Sequence, residues 1–433
     1  MHKEVDIMAL EIRERMKQIR HGDVLEGYKK TGAGIIPLTW ALCALNSVMG
    51  DLEAGTSVNS APAKDTGCYI LKTSAVFRGK VDLSEAKPVI ESDISRLKCP
   101  VLKGCIMISR MNTPALVGEC GYVKRSSDVH FLPDRLWQAS NASPDTCDFV
   151  WLNQLLNSER YRAAIHSMAT GTSNSMKNIS KESFLNLTLA LPPLGEQKRI
   201  AEILTTQDKV IELKEKRLAE KQRQKKYLMQ QLLAGKKRLP GFEGEWKKTK
   251  LKKLLKERKT YSPKGAEYPH VTLSTEGIYA KSDRYDRDHL VKDEEKEYKI
   301  TLKGDICYNP ANLKFGVICI NNFGDAIFSP IYVTFEVAKN VSSAFLSNYL
   351  MRWDFINAVR KYEEGTVYER MAVKPEDFLK FEMLLPPYEE QLAIAEILSV
   401  ADKEIDLLRQ NIEQERQKKK ALMQLLLTGI VRV

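Results

Sequence analysis

The segment Leu191–Arg238 returns as Leu385–Arg432, at a constant offset of 194 residues and without a gap. About half of the paired positions are identical, far more than shared helical composition produces, so the chain contains a duplication. The same offset runs upstream through Gly171-Thr172 and Gly365-Thr366, Ile179 and Val373, and Phe184-Leu185 and Phe378-Leu379. Further back the match drifts, but Leu102-Lys103-Gly104 pairs with Leu302-Lys303-Gly304, and Trp40 with Trp246. The chain is therefore two copies of one module, each a globular segment followed by a long charged helix.

The repeated segment carries clear helix punctuation. Pro192-Pro193 and Pro386-Pro387 stand just ahead of the first turn, where missing N–H groups cost little. Glu196 and Glu390 fall in that first turn, where a carboxylate complements the helix dipole. Gly235 and Gly429 follow the last apolar residues and suit a left-handed cap. The length between is about 57 Å at 1.5 Å per residue. Leu204, Ile211, Leu218 and Leu232 recur on a seven-residue period, as do Leu398, Ile405, Ile412 and Leu426, which predicts a coiled-coil seam. Lys225 and Lys419 interrupt the seam at one equivalent position. A helix this long and this polar needs a partner, and the economical partner is the other copy, running antiparallel.

The globular parts alternate short apolar runs with turn signals. Tyr69–Thr73, Cys105–Ser109, Tyr268–Leu273, Ile306–Tyr308, Val317–Ile320 and Tyr332–Phe335 read as strands, and Asp148–Ser158 and Ser343–Arg360 as helices. The expected fold is α+β: two pseudo-symmetric globular domains separated by a pair of long antiparallel coiled-coil helices. The expected boundaries are an N-terminal helical extension at 1–36, domains at 37–190 and 238–384, and spacer helices at 191–237 and 385–433. The extension, with Val5, Met8, Ile12, Met16 and Ile19 on one face, is expected to pack on the rod or on a partner.

Of the 433 residues, 43% are hydrophobic, enough for real cores. No run approaches the length needed to span a bilayer, and the charged N-terminus has no signal-like apolar stretch, so a cytoplasmic location is expected. Eight scattered cysteines without a C-x-x-C pair give neither a disulfide framework nor a zinc site. The formal charge of +11 favours a polyanionic partner. Two related but divergent domains on such a chain suit a divided DNA site with unlike halves.

At this point the chain resembles the specificity subunits of type I restriction-modification enzymes, from about Ile36 to Val433. The strongest marks are the two copies of L-P-P-x-x-E-Q-x-x-I-A-E-I-L, at Leu191–Leu204 and Leu385–Leu398. The stretch GCIMISRMNTPALVG (Gly104–Gly118) also looks like that family's recognition domains, whereas the second copy reads GDICYNPANLKFGVI. The resemblance implies two target-recognition domains reading double-stranded DNA, and helices that bind two methyltransferase subunits and, through them, restriction/translocase subunits. It implies no cofactor in this chain; S-adenosylmethionine, ATP and magnesium belong to those partners.

The residues agree that the chain is not itself an enzyme. Leu385–Tyr388 differs from the N-P-P-Y of adenine methyltransferases at the asparagine that holds the target base, and proline pairs also open the matching helix as LPPL. No P-loop is present. Asp283, Asp286, Asp288 and Glu294–Lys296 mimic a nuclease pattern that acidic loops produce readily. Base reading needs Arg, Lys, Asn or Gln on groove-facing loops. The candidates are Arg78, Lys80, Arg110, Asn112, Lys124 and Arg125 in the first module. In the second they are Lys281, Arg284, Arg287, Asn312 and Lys314. The runs Arg223–Lys226, Lys236–Arg238 and Lys418–Lys420 are explained by the helix dipole alone, while Lys247–Lys259 could approach phosphates. Partner docking is expected from residues repeated off the seam: Glu196/Glu390, Gln197/Gln391, Glu202/Glu396, Asp208/Asp402 and Lys209/Lys403. Two other readings stay open: a specificity subunit of a combined restriction-methylation enzyme outside type I, and a coiled-coil scaffold that does not bind DNA.

Overall fold

The computed structural model describes residues 2–60, 65–171, 176–263, 267–281, 297–362 and 372–433; within the first helix, side chains are described from Leu10 onward, except Arg20. It divides into two compact units, one of Met1–Leu213 with Ile412–Val433, the other of Lys214–Asn411. The central helix Leu194–Leu232 and the C-terminal helix Tyr388–Leu426 thus each contribute one part to each unit.

In the first unit a six-stranded sheet is built around Ile106–Ser109, flanked by Cys120–Tyr122 on one side and Leu136–Ala139 on the other. Four fully buried residues in Ile106–Ser109 show why this strand reads as a continuous apolar run. Helices Phe149–Leu156 and Glu159–Ser167 follow, and the core joins Trp137, Trp151 and Phe184 to Leu204 of the central helix and Leu426 of the C-terminal helix. A second, four-stranded sheet carries Tyr69–Leu71 parallel to Ser127–Phe131. The strand Ala41–Ala44 pairs with Thr188–Leu191, immediately before the central helix.

The second unit repeats this frame. Ile306–Tyr308 lies between Ile318–Ile320 and Val333–Val337, and Lys247–Lys250 pairs with Glu382–Leu385 just ahead of the C-terminal helix. Its core stacks Tyr308, Phe335 and Phe378 beneath Leu398. The single helix expected over Ser343–Arg360 is instead two, Ser343–Leu350 and Trp353–Val359. The break at Arg352 is physical: its guanidinium donates to the Leu233 carbonyl at 2.9 Å, near the end of the central helix, and binds Asp354. An end carbonyl that the helix cannot satisfy itself is thereby satisfied.

Within each unit the long helices run antiparallel. In the first, Gln207 donates to Glu415 and Lys419 binds Asp208 at 2.8 Å; in the second, Lys225 binds Asp402 and Lys221 binds Glu404. Leu204, Leu232, Leu398, Ile405, Ile412 and Leu426 are buried, and Ile211 and Leu218 are half-buried. Both helices stop at a glycine with positive φ, 66° at Gly235 and 71° at Gly429. Lys237 N donates back to Gln231 O and Val431 N to Leu425 O, as a left-handed cap requires.

Candidate nucleic-acid interface and docking face

The repeated Glu-Gln at each helix start turns inward. Glu196 Oε2 accepts from Trp40 Nε1 at 3.1 Å, and both its oxygens accept from Arg432, at 2.5 and 2.8 Å. Glu390 accepts from Trp246 Nε1 at 3.0 Å and from Arg238 twice, at 2.7 Å each. Arg432 and Arg238 are themselves repeat equivalents, so each helix start is clasped by the arginine that follows the other helix. Forked arginine–carboxylate pairing of this kind fixes geometry as well as adding energy. Gln197 accepts from Asp148 N at 2.8 Å and Gln391 from Ser342 N at 2.9 Å, which ties each long helix to the cap residue of the neighbouring globular helix.

This corrects the expected docking face. Glu196, Gln197, Glu390 and Gln391 are buried and hold their own unit together. Asp208 and Asp402 do have a coiled-coil reason to match, because they neutralise the seam lysines Lys419 and Lys225. Glu202, Glu396, Lys209 and Lys403 are exposed. They are the repeated pairs left facing solvent.

The N-terminal extension caps the end of the C-terminal helix. Tyr28 Oη donates to Gly429 O at 2.8 Å and Arg15 to Ile430 O at 2.9 Å. A Cβ on Gly429 would lie 2.5 Å from Pro37 Cγ, so this turn requires glycine for space as well as for φ.

The base-reading candidates separate by exposure. Arg78, Lys80, Lys124 and Arg125 are exposed, on or beside the paired strands Gly79–Val81 and Cys120–Tyr122. Arg78 has φ of 44°, and its N–H donates to the buried Glu119, which also binds Arg162. Asn312 is exposed and Lys314 half-buried, 5.4 Å over the Phe315 ring. Lys281 is half-buried, its N–H donating to His270 O.

Asn112 is buried and Arg110 half-buried, so neither stands out into solvent like the four exposed candidates of the same unit. Arg110 Nε is buried, with the guanidinium 5.6 Å from the Trp137 ring. Asn112 braces its turn by donating to Ser109 Oγ and accepting from Thr113 N. Arg284 and Arg287 lie outside the described residues, as does the nuclease-like Asp283–Lys296 stretch. Part of each basic run is paired inside its unit, Lys225 to Asp402, Arg238 to Glu390, Lys419 to Asp208 and Lys420 to Glu159, while Lys226, Lys236, Lys237 and Lys418 are exposed. Within Lys247–Lys259, Arg258 grips the buried Asp305 in a fork at 2.8 and 3.0 Å.

A cavity of about 520 Å³ in the first unit has Arg78, Arg160, Arg162 and Lys420 in its wall. Arg162 and Lys420 already serve Glu119 and Glu159, so much of its positive charge is spent locally. Among the described residues no group of three or more His, Cys, Asp or Glu could hold a metal ion. Burial pushes the thiols of Cys99, Cys147, Cys307 and Cys319 up to about 12, away from nucleophilic use. No helix among the described residues is long and apolar enough to cross a membrane.

Residues 67–222 and 243–415 match the model of the type I restriction modification DNA specificity domain. A putative type I restriction enzyme MjaX specificity subunit of Methanocaldococcus jannaschii is 24% identical, covering 94% of this chain and 97% of its own. The type I restriction enzyme MjaVIII specificity subunit of the same organism is 27% identical over 62% of this chain and 67% of its own. The fold is shared with the solved type I restriction-modification S subunit from M. genitalium. That chain has a TM-score of 0.54 at 14% identity, with 89% of this chain and 96% of that one covered. A chain from a structure on complex assembly and conformational transition of the type I R-M system gives 0.55 at 16% identity, covering 92% and 99%.

Proposed function

The chain belongs to the type I restriction-modification DNA specificity family, and from that premise we propose that its two units read the unlike halves of a divided DNA site. DNA recognition is its part in such a system. The observation that carries the divided site is the contrast within the repeat. The clasp and the capping glycines are duplicated residue for residue and the seam position for position, whereas the exposed loops of the two units differ. A constant frame with divergent loops is what two readers of different sequence need. The antiparallel helices act as the ruler that sets the unspecified run between the halves.

Catalysis, on this reading, resides in partner subunits, which also hold S-adenosylmethionine, ATP and magnesium; the assembly works in the cytoplasm. Two methyltransferase subunits dock on equivalent faces, with restriction/translocase subunits joining through them. The exposed pairs Glu202/Glu396 and Lys209/Lys403 offer the same chemistry once per unit. Glu202→Lys and Glu396→Lys together should weaken methyltransferase capture at least tenfold, about 1.4 kcal/mol, and each single change should release one copy first. Unchanged capture by the double variant, with an unchanged melting temperature, would place docking elsewhere.

Duplex binding tests the reading against a scaffold that ignores DNA. Binding should fall steeply as salt rises, because phosphate contacts release counterions. No duplex binding even at low salt would favour the scaffold.

A further inference from the structure

Phe315 is 64% exposed, the most exposed large apolar side chain among the described residues. Its position is not loose. The turn joining Ile306–Tyr308 to Ile318–Ile320 is pinned by Asn312 N to Asn309 O, Phe315 N to Asn312 O and Gly316 N to Leu313 O. Leu313 beside it is 1% exposed and plugs the core, and Gly316 closes the turn at φ of 81°. An exposed aromatic on a rigid, anchored tip costs solvation in the free protein, which marks a contact surface.

The equivalent turn of the first unit has the same construction and different cargo. It joins Ile106–Ser109 to Cys120–Tyr122, is closed by Gly118 N to Ser109 O, and is plugged by Val117 at 1% exposure. Its exposed residues are Thr113, Pro114 and Ala115, where the second tip has the exposed Asn312 and Phe315 with the half-buried Lys314 between them. Only the second unit therefore presents an aromatic ring together with a cation and an amide on this tip.

Resting on the DNA-reading function above, we propose that the Asn312–Phe315 tip is a base-contacting element of the second unit. Phe315 supplies apolar contact to a base, Asn312 reaches a base edge, and Lys314 meets a nearby phosphate. Each group matches a known mode of groove contact: ring against base methyl or base step, amide to base edge, ammonium to backbone. The Lys314 ammonium over the ring keeps the two side chains together as one surface.

The test is to map methylated adenines in cells carrying the full chain with its methyltransferase partner, comparing wild type, Phe315→Ala and Lys314→Ala. Phe315→Ala should relax discrimination about tenfold at one or two positions in one half of the motif and leave the other half intact. Lys314→Ala should lower methylation at all sites without altering the motif. Pro114→Ala, in the other tip, should spare the half that Phe315→Ala changes. Because Phe315 is exposed, its melting temperature should not move, so misfolding does not confound the result. A divided motif that Phe315→Ala leaves unchanged overturns the assignment, as does loss of methyltransferase capture, which would make the tip a protein contact. An undivided wild-type motif overturns the two-reader function itself, and the assignment with it.

Discussion

Arg238→Ala should unfold the second unit well below the wild-type temperature while leaving the first unit near its own. Glu390 is fully buried, and its two oxygens are held by Arg238 and Trp246. Removing the guanidinium leaves a buried carboxylate with one neutral donor, which typically costs about 3–5 kcal/mol. For a body of this size that is a drop of about 10 °C, seen by calorimetry as a separate early transition. The double change Arg238→Ala with Glu390→Ala should lose less than the sum of the two singles, because the stranded charge is gone. Arg432→Ala should act on the first unit in the same way but more weakly, since Arg432 is 40% exposed and Glu196 keeps slightly more contact with solvent. A melting profile for Arg238→Ala that overlays the wild type would show that the clasp does not hold the second unit together.

Inserting one heptad into each long helix at facing points should lengthen the unspecified run in the DNA site. Seven residues add about 10 Å of helix, or about three base pairs at 3.4 Å each. The insertion preserves the seam phase, so Leu204 and Leu426 in one unit and Leu232 and Leu398 in the other keep their buried settings. Neither tip is touched, so both half-site sequences should persist. Inserting the heptad in one helix alone should instead break the register, and methylation should collapse. If the paired insertion changed the half-site sequences and kept the spacing, the helices would not be the ruler.

The repeat, the seam and the capping glycines were legible because each is a local pattern with a fixed period or a fixed backbone demand. The clasp was half legible. Glu196 and Glu390 stood out as repeated, but their partners lie 236 and 152 residues away. Nothing in the spacing says that a repeated glutamate meets the arginine after the other helix. Their repetition off the seam therefore suggested an outward face, when their cause was internal pairing. Asp208 and Asp402 misled in the same way, although the seam lysines were a usable signal: a cation placed in a coiled-coil seam needs an anion from the facing helix.

The exposure of the base-reading candidates was the least legible, because it is decided by turn geometry that composition does not encode. Arg110 and Asn112 carry the right chemistry for a groove, yet their turn folds them against Trp137 and Ser109. Phe315 lies beside an apolar run in the sequence, and its exposure follows from the 3-10 turn Leu313–Phe315, which buries Leu313 and leaves Phe315 outside. Of the basic runs conspicuous in the sequence, Lys225, Arg238, Lys419 and Lys420 are paired within their units, which periodicity alone does not reveal.

Whether the two units read separate half-sites is decided by a genome-wide map of methylated adenines with and without this chain. The expected result is a chain-dependent motif of two unlike short halves separated by a fixed run of unspecified bases. A chain-dependent motif that is continuous, or two identical halves, would contradict it.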